Sequence, residues 1–294
     1  MRDVSFVTVK NGSTHLNVAV QGDGPLIVCV HGWPELWYSW RHQMSYFSAR
    51  GFTVAALDVR GYGGSSKPEE VSAYTLTELT SDVASVIDAL GGGEAIVFGH
   101  DWGAPIAWNT ARLFPTKVRA VAGLSVPYTP VGPQSSLLLW QALYPDKFFY
   151  QNYFVVEGVA EAELGADTAD SVRKIYHSLS GAAAGVFSAD KPVDAGLLDG
   201  VEAPTSFPSW LTEADLAVYS GALESGGWRG PLNRYRAQDL DAEQLGSRPE
   251  AELPQPACFI AGEHDPVRHF VPGVDLFDVA SGSCRDFRGT TIIP

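Results

Sequence analysis

Charge is scarce in this chain. Only 18% of its 294 residues are charged, and the basic ones are the fewer: 20 Lys+Arg against 34 Asp+Glu, a formal net charge of −14. No Lys/Arg cluster stands anywhere, so the basic footprint of a nucleic-acid binder is missing. An anionic membrane surface would repel the chain for the same reason. No run approaches the ~18 apolar residues of a membrane-spanning helix. The opening MRDVSFVTVK lacks the apolar centre of a secretory signal. Cysteine is rare too. Cys29, Cys258 and Cys284 are widely spaced and odd in number, without a CxxC pair. That argues against a disulfide framework and against a zinc site. They read as small core hydrophobes in a reducing cytoplasm. There is no cluster of metal ligands and no phosphate-cradling glycine loop. The stretch 61–64 has neither the Walker Lys nor the Rossmann spacing. No metal and no organic cofactor is expected.

What is present is apolar and alternating. Apolar residues make up 45% of the chain, ordinary for a globule with a sizeable core. Residues 4–9 and 16–21 alternate like the arms of a hairpin. Leu26–Val30 (LIVCV) is a continuous apolar run, the mark of a strand buried on both faces. Thr53–Leu57, 95–98 and 119–125 read the same way, and 259–261 and 287–293 look like the last two strands. Between strands, Leu76, Leu79, Val83, Val86, Ile87 and Leu90 recur at helical spacing. Thr75 and Glu78 precede them as a capping box, and the glycines 91–93 follow as a stop. Such alternation predicts an α/β fold: a mostly parallel twisted sheet with helices on both faces.

Residues between the strand near 125 and the one near 257 differ in character. They are rich in Ala, Leu, Tyr, Phe and Trp, with helical stretches such as 212–223 and no strand period. A parallel crossover needs only a dozen or so residues. The excess predicts a helical lid above the C-terminal ends of the strands. The expected division is a core part at 1–128, a lid at 129–250 and a second core part at 251–294.

The strongest local signal is AIVFGHDWGAP, from Ala95 to Pro105. A buried strand runs into Gly99-His100-Asp101-Trp102-Gly103 and then into a helix. Small residues two before and two after a central residue mark a nucleophile elbow, a turn too tight for larger side chains. It projects its central residue at a helix N-terminus, where a carboxylate is favoured. A plain helix N-cap would account for Asp101 but not for both glycines. A second signal, His31-Gly32-Trp33-Pro34, follows the third strand. Gly32 lets the backbone approach a ligand. The N–H of Trp33 can then pair with that of Trp102 as a two-donor oxyanion hole. His31 reads as a structural, hydrogen-bonding histidine.

With these motifs the chain resembles the α/β-hydrolase superfamily and, within it, the epoxide hydrolases. The matching pieces are HGWPE (31–35), DVRGYGGSS (58–66), GHDWGAP (99–105), YQNYF (150–154), GPLNRY (230–235) and GEHDP (262–266). They stand in the family's order and span nearly the whole chain. The resemblance implies an α/β-hydrolase core with a helical lid. It implies Asp101 as nucleophile, Asp265 as the acid that orients a base, and Tyr150 and Tyr235 as lid tyrosines holding the epoxide oxygen. Tyr153 is a neighbouring decoy. Trp33, Pro34, Trp102, Gln151 and Phe154 are expected to touch substrate.

The implied reaction opens a small apolar epoxide to a vicinal diol with water, through an ester on Asp101. Residue chemistry agrees. A carboxylate is already ionised at neutral pH and can displace at a saturated carbon. Two phenols stay protonated and can donate to the oxygen that gains charge. A serine at 101 would have predicted an esterase. The rivals are a haloalkane dehalogenase with the same Asp nucleophile and a non-catalytic binder of apolar ligands. Tyr150 and Tyr235 favour epoxides, and Trp33 stands where dehalogenases often have Asn. A homodimer is compatible with the sequence.

One departure stands out. The family's base histidine sits in a loop after the last strand, and this chain stops at Thr290-Thr-Ile-Ile-Pro294. Only His269 of the seven histidines follows Asp265, too near it in sequence to approach Asp101 from elsewhere. The apolar ending favours the front part of a longer protein over a variant without the base. If the 294 residues act alone, the expectation is a half-enzyme that alkylates Asp101 and hydrolyses the ester very slowly.

Overall fold

The computed structural model describes residues 3–91, 93–180, 183, 191–204, 210–248 and 252–294. Gly92 of the expected helix stop, and the lid boundary expected at 250/251, lie outside the described residues. Eight strands form one sheet in the order β1-β2-β4-β3-β5-β6-β7-β8. β1 (Ser5–Asn11) and β2 (Thr14–Gly22) make the antiparallel hairpin, with Phe6 opposite Ala19. β2 lies antiparallel to β4 (Thr53–Leu57). From there β3 (Leu26–Val30), β5 (Ala95–His100), β6 (Val118–Leu124), β7 (Leu253–Gly262) and β8 (Cys284–Ile293) all run parallel.

The run LIVCV behaves as its composition dictates. All five residues are buried, and successive side chains join opposite cores. Leu26, Val28 and Val30 belong to the core under α2 (Leu76–Leu90) and α3 (Gly103–Leu113). Ile27 and Cys29 join Met44 of α1 (Arg41–Ser48) on the other face. Burial pushes the Cys29 thiol far above its ordinary range, so it is inert.

Two local expectations are corrected. Thr75 does cap α2, accepting from the Glu78 N–H at 3.4 Å. The Glu78 carboxylate, however, does not complete a capping box. It pairs with Arg60 at 3.2 Å, whose guanidinium also grips Asp82 at 2.7 and 2.9 Å. A buried guanidinium with five donors draws in every carboxylate within reach. β7 is also longer than the 259–261 expected. Its first half holds Pro254 and Pro256, which lack the ladder N–H and hide a strand from propensity; the pairing with β8 shifts register there.

The segment between β6 and β7 carries the expected helices: α4 (Ser136–Leu143), α5 (Tyr150–Phe154), α6 (Val159–Ala166), α7 (Thr168–Leu179), α8 (Glu213–Gly226), α9 (Arg229–Arg236) and α10 (Gln238–Leu245). Thr212 caps α8 in a full capping box with Asp215. Polar ties hold this helical insertion on the core. Asp241 accepts from the Leu76 N–H at 2.6 Å, Asn233 donates to the Glu69 carbonyl at 3.1 Å, and the Tyr38 hydroxyl donates to Asp215 at 2.9 Å. Among the described residues no helix is long and apolar enough to cross a membrane.

Candidate active site

β5 ends at His100, and the chain turns at Asp101 before entering α3. Asp101 has φ +51°, a left-handed conformation that costs a non-glycine residue about 1–3 kcal/mol. Neighbouring backbone explains the glycines. A Cβ on Gly99 would lie 2.0 Å from the Gly103 carbonyl oxygen, and one on Gly103 would lie 2.1 Å from that of Val30. Gly32 is needed as well, because its Cβ would sit 2.3 Å from the Cβ of Asp101. Gly99→Ala is therefore expected to cost about 1–3 kcal/mol or more by overpacking against backbone that cannot yield. Soluble yield and melting temperature measure it, and an unchanged melting temperature would contradict this account of the turn.

The Asp101 side chain does not cap α3, which has no side-chain cap hydrogen bond. Instead Oδ1 accepts from the Trp33 N–H at 2.7 Å, and the Trp102 N–H also donates to the carboxylate. Both expected oxyanion donors thus meet at this group. Burial pushes its pKa up to about 6, against the opposing pull of the His100 charge and the two N–H donors.

Tyr150 opens α5 and Tyr235 lies in α9, with ring centroids 5.8 Å apart and nearly perpendicular. Gln151 donates to the Tyr150 hydroxyl at 3.0 Å, and the Trp102 side chain donates to that of Tyr235. Burial, reinforced by the nearby Asp101 charge, pushes both phenols above their ordinary pKa of 10, so both keep their protons. The decoy Tyr153 turns away and donates to Glu163 at 2.8 Å.

Asp265 follows β7. It accepts from the Val267 N–H at 3.0 Å and from the Ser125 hydroxyl, and burial raises its pKa. Ser125 itself has φ +71°. A cavity of about 280 Å³ is lined by Trp33, Pro34, His100, Asp101, Tyr150, Tyr235 and Asp265. Trp102 and Gln151 line a second cavity of about 620 Å³, which Asp101 and Tyr150 share. Phe154 lines neither. It is fully buried and packs its ring 5.6 Å from Tyr150, 4.9 Å from Tyr235 and 5.0 Å from Trp33. Phe154 thus supports the rings of Tyr150, Tyr235 and Trp33.

One pair escaped the sequence reading. His100 Nδ1 lies 2.9 Å from Glu35 Oε2, which also accepts from the Gly32 N–H at 2.8 Å. Burial alone would lower the His100 pKa, but the Glu35 charge and hydrogen bond raise it to about 9. In return Glu35 is held down to about 2 despite its burial. Both residues lay inside quoted motifs, HGWPE and GHDWGAP, so the signal was present but unassigned. His31 is structural as read: its Nδ1–H donates to the Gly32 carbonyl and its Nε2 accepts from the Val59 N–H. His269 is exposed at the end of a short turn and lines neither cavity. Among the described residues, no group of three His, Cys, Asp or Glu stands ready to hold a metal ion.

The alpha/beta hydrolase fold family model matches residues 25–269. Epoxide hydrolase A of Mycobacterium tuberculosis is 36% identical over 282 residues, covering 95% of this chain and 88% of that protein. An epoxide hydrolase structure from an endophytic Streptomyces superposes with a TM-score of 0.92 at 39% identity, covering 98% of this chain and 88% of the other. The crystal structure of Epoxide Hydrolase A from Mycobacterium thermoresistibile gives 0.89 at 37% identity, covering 99% and 91%. By sequence and by fold, then, this chain belongs to the α/β-hydrolase family and, within it, to the epoxide hydrolases.

Proposed function

We propose that Asp101 is the nucleophile, opening an apolar epoxide under a lid formed by residues 129–250 over the core 1–128 and 251–294. One carboxylate oxygen attacks a ring carbon, and the C–O bond breaks toward the ring oxygen. That oxygen takes the electron pair and a proton from Tyr150 or Tyr235, while the other phenol donates a hydrogen bond. The product is a hydroxyalkyl ester of Asp101. Water then attacks the carboxyl carbon, and the N–H groups of Trp33 and Trp102 receive the oxyanion; as the C–O bond to the diol breaks, one proton of that water ends on the departing diol oxygen and the other returns to the tyrosinate left by the first step. Asp265 stands as the acid that would orient a base for this second step, a base that, among the described residues, no histidine lining the cavities supplies in neutral form. The observation that carries the reading is one half-buried carboxylate held by two N–H donors and sharing a cavity with two protonated phenols.

The 294-residue chain forms this ester faster than it hydrolyses it. Support comes from its seven histidines. Among the described residues His100 is the one histidine that lines the cavities, and Glu35 keeps it cationic up to about pH 9, so it offers no neutral imidazole at pH 7. Intact-protein mass spectrometry after mixing with excess 1,2-epoxypropane is the test. The expected result is a gain of one epoxide per chain, on Asp101, that persists after the free epoxide is removed. Steady diol production without accumulated ester would overturn the slow second step. No modification and no diol would overturn Asp101 as nucleophile.

A further inference from the structure

The two phenols at the site are supported unequally. The hydroxyl of Tyr150 accepts from Gln151, whose own Oε1 accepts from Gln238 at 3.1 Å, so its support is a chain of neutral amides. The hydroxyl of Tyr235 accepts from the Trp102 indole, and the two rings meet edge to face with centroids 5.3 Å apart. Behind that indole stands a cation. The Arg234 guanidinium carbon lies over the Trp102 ring, 4.6 Å from its centroid. Arg234 is buried, and its guanidinium is gripped by the buried Asp241 carboxylate and by the Tyr74 carbonyl. Asp241 is fixed in turn by the Leu76 N–H at 2.6 Å, at the start of α2. Arg234 and Tyr235 are neighbours on α9, about 100° apart around the helix. One helix thus meets the same indole twice, with a guanidinium over its face and a hydroxyl at its N–H.

We infer that Arg234 is a positioning residue: its guanidinium, pinned by Asp241 and Tyr74, holds the Trp102 indole so that the indole N–H stays on the Tyr235 hydroxyl and prepares that phenol for the epoxide oxygen. The inference rests on Tyr235 acting on that oxygen as proposed above. Its physical basis is twofold. A guanidinium over an indole is attracted by the negative face of the ring, and more strongly where water is excluded, so the ring is held in place. The cation also draws electron density from the ring, which makes the indole N–H a better donor. A donor on the phenolic oxygen stabilises the negative charge that this oxygen gains as its proton moves toward the epoxide. Lys in place of Arg keeps the charge but not the planar fork that grips two partners while facing a ring. Arg234 acts through Trp102 and Tyr235, not on the reacting atoms.

The test is a double-variant cycle read on ester formation, with 1,2-epoxypropane as the probe and intact mass as the signal in single-turnover mixing. Removing Arg234 alone would strand the buried Asp241 carboxylate, so the pair is replaced together as Arg234→Met/Asp241→Asn. In otherwise wild-type protein this is expected to lower the saturating labelling rate about tenfold and to leave the half-saturating concentration within about twofold. In a Tyr235→Phe background the same replacement is expected to change the rate by less than about twofold, because the hydroxyl through which Arg234 acts is gone. In a Tyr150→Phe background the loss should persist in full. Arg234→Lys, which keeps the charge beside Asp241, should show the same pattern with a smaller loss of about threefold, and it decides should the paired replacement fail to fold. Equal losses in the wild-type and Tyr235→Phe backgrounds mark a merely structural tie and overturn the inference. An unchanged rate, or a loss confined to the half-saturating concentration, overturns it too. All three results leave Tyr235 in its proposed role. A Tyr235→Phe protein that labels at the wild-type rate removes that role and the inference with it.

Discussion

Asp101→Asn is expected to lose about 10⁴-fold or more in epoxide opening and, at neutral pH, to unfold less readily than the wild type. The loss follows from chemistry. An amide is a poor nucleophile, and the other carboxylates that line the cavities are engaged elsewhere: Glu35 by His100 and the Gly32 N–H, Asp265 by the Val267 N–H, and Asp241 by the Leu76 N–H, so the intermediate itself disappears. The gain follows from burial. The folded pKa of Asp101 is about 6, above its ordinary 3.8, because the ionised form is held out of water. Below about pH 3.8 both folded and unfolded chains carry the proton, and the carboxyl imposes no penalty. Between 3.8 and 6 the folded state binds more protons, so stability falls as pH rises. Above pH 6 the full penalty applies, about 3 kcal/mol at 1.36 kcal/mol per pKa unit. Asn is neutral and, like Asp, tolerates the left-handed φ that this turn imposes. Urea unfolding at pH 7 and at pH 4 measures the effect: the stabilisation should be present at the first and nearly absent at the second. Alkylation by the wild type should show the same group, falling to half its plateau rate near pH 6 and tenfold per unit below. A variant no more stable than wild type at pH 7, with retained labelling, would contradict both halves.

Replacing both Tyr150 and Tyr235 by Phe is expected to slow ester formation by about 10⁴-fold, against about 10²-fold for either change alone. As the C–O bond breaks, the ring oxygen must be met by a donor. In a cavity walled in large part by aromatic side chains water is a poor substitute, and a lost donor is felt strongly. Both phenols are held protonated by burial, and each hydroxyl is itself the acceptor of a neighbour's N–H, from Gln151 and Trp102. Those bonds engage the phenolic oxygens as acceptors and do not use up the phenolic protons. The fold should survive, because removing one hydroxyl costs about 1–3 kcal/mol when its partner stays buried. The discriminating readout is the step affected. Labelling should slow, while hydrolysis of ester already formed should not, since the ring oxygen is by then an alcohol. Equal slowing of both steps, or labelling at the wild-type rate, would remove the phenols from the proposed role.

How much of this was legible beforehand depended on how local each feature is. LIVCV and TVAAL became β3 and β4 with their expected ends, because a strand buried on both faces needs an unbroken apolar run and a turn breaks it. The elbow was legible for a related reason. Gly99 and Gly103 answer to clashes with backbone a few residues away or on the adjacent strand. Where proline interrupted the pattern, in the first half of β7, the strand was missed. Where a distant guanidinium outbid a helix terminus, at Glu78, the expected cap bond was not made.

The residue types at the site, their order along the chain and the family they mark were set by the sequence itself, since each motif is a short stretch whose steric or electronic demand is met by its own neighbours. Three things were decided only by tertiary structure. The Glu35–His100 pair forms because β3 and β5 run parallel and adjacent, with Val30 beside Gly99, so the residues after them leave the sheet at one edge. The protonation of Asp101, Tyr150 and Tyr235 depends on how completely the helical insertion excludes water. The two unequal cavities exist only between helices and sheet edge, as space that no single segment encloses. Packing across long sequence separations determines all three, and a linear pattern records only what lies nearby in the chain.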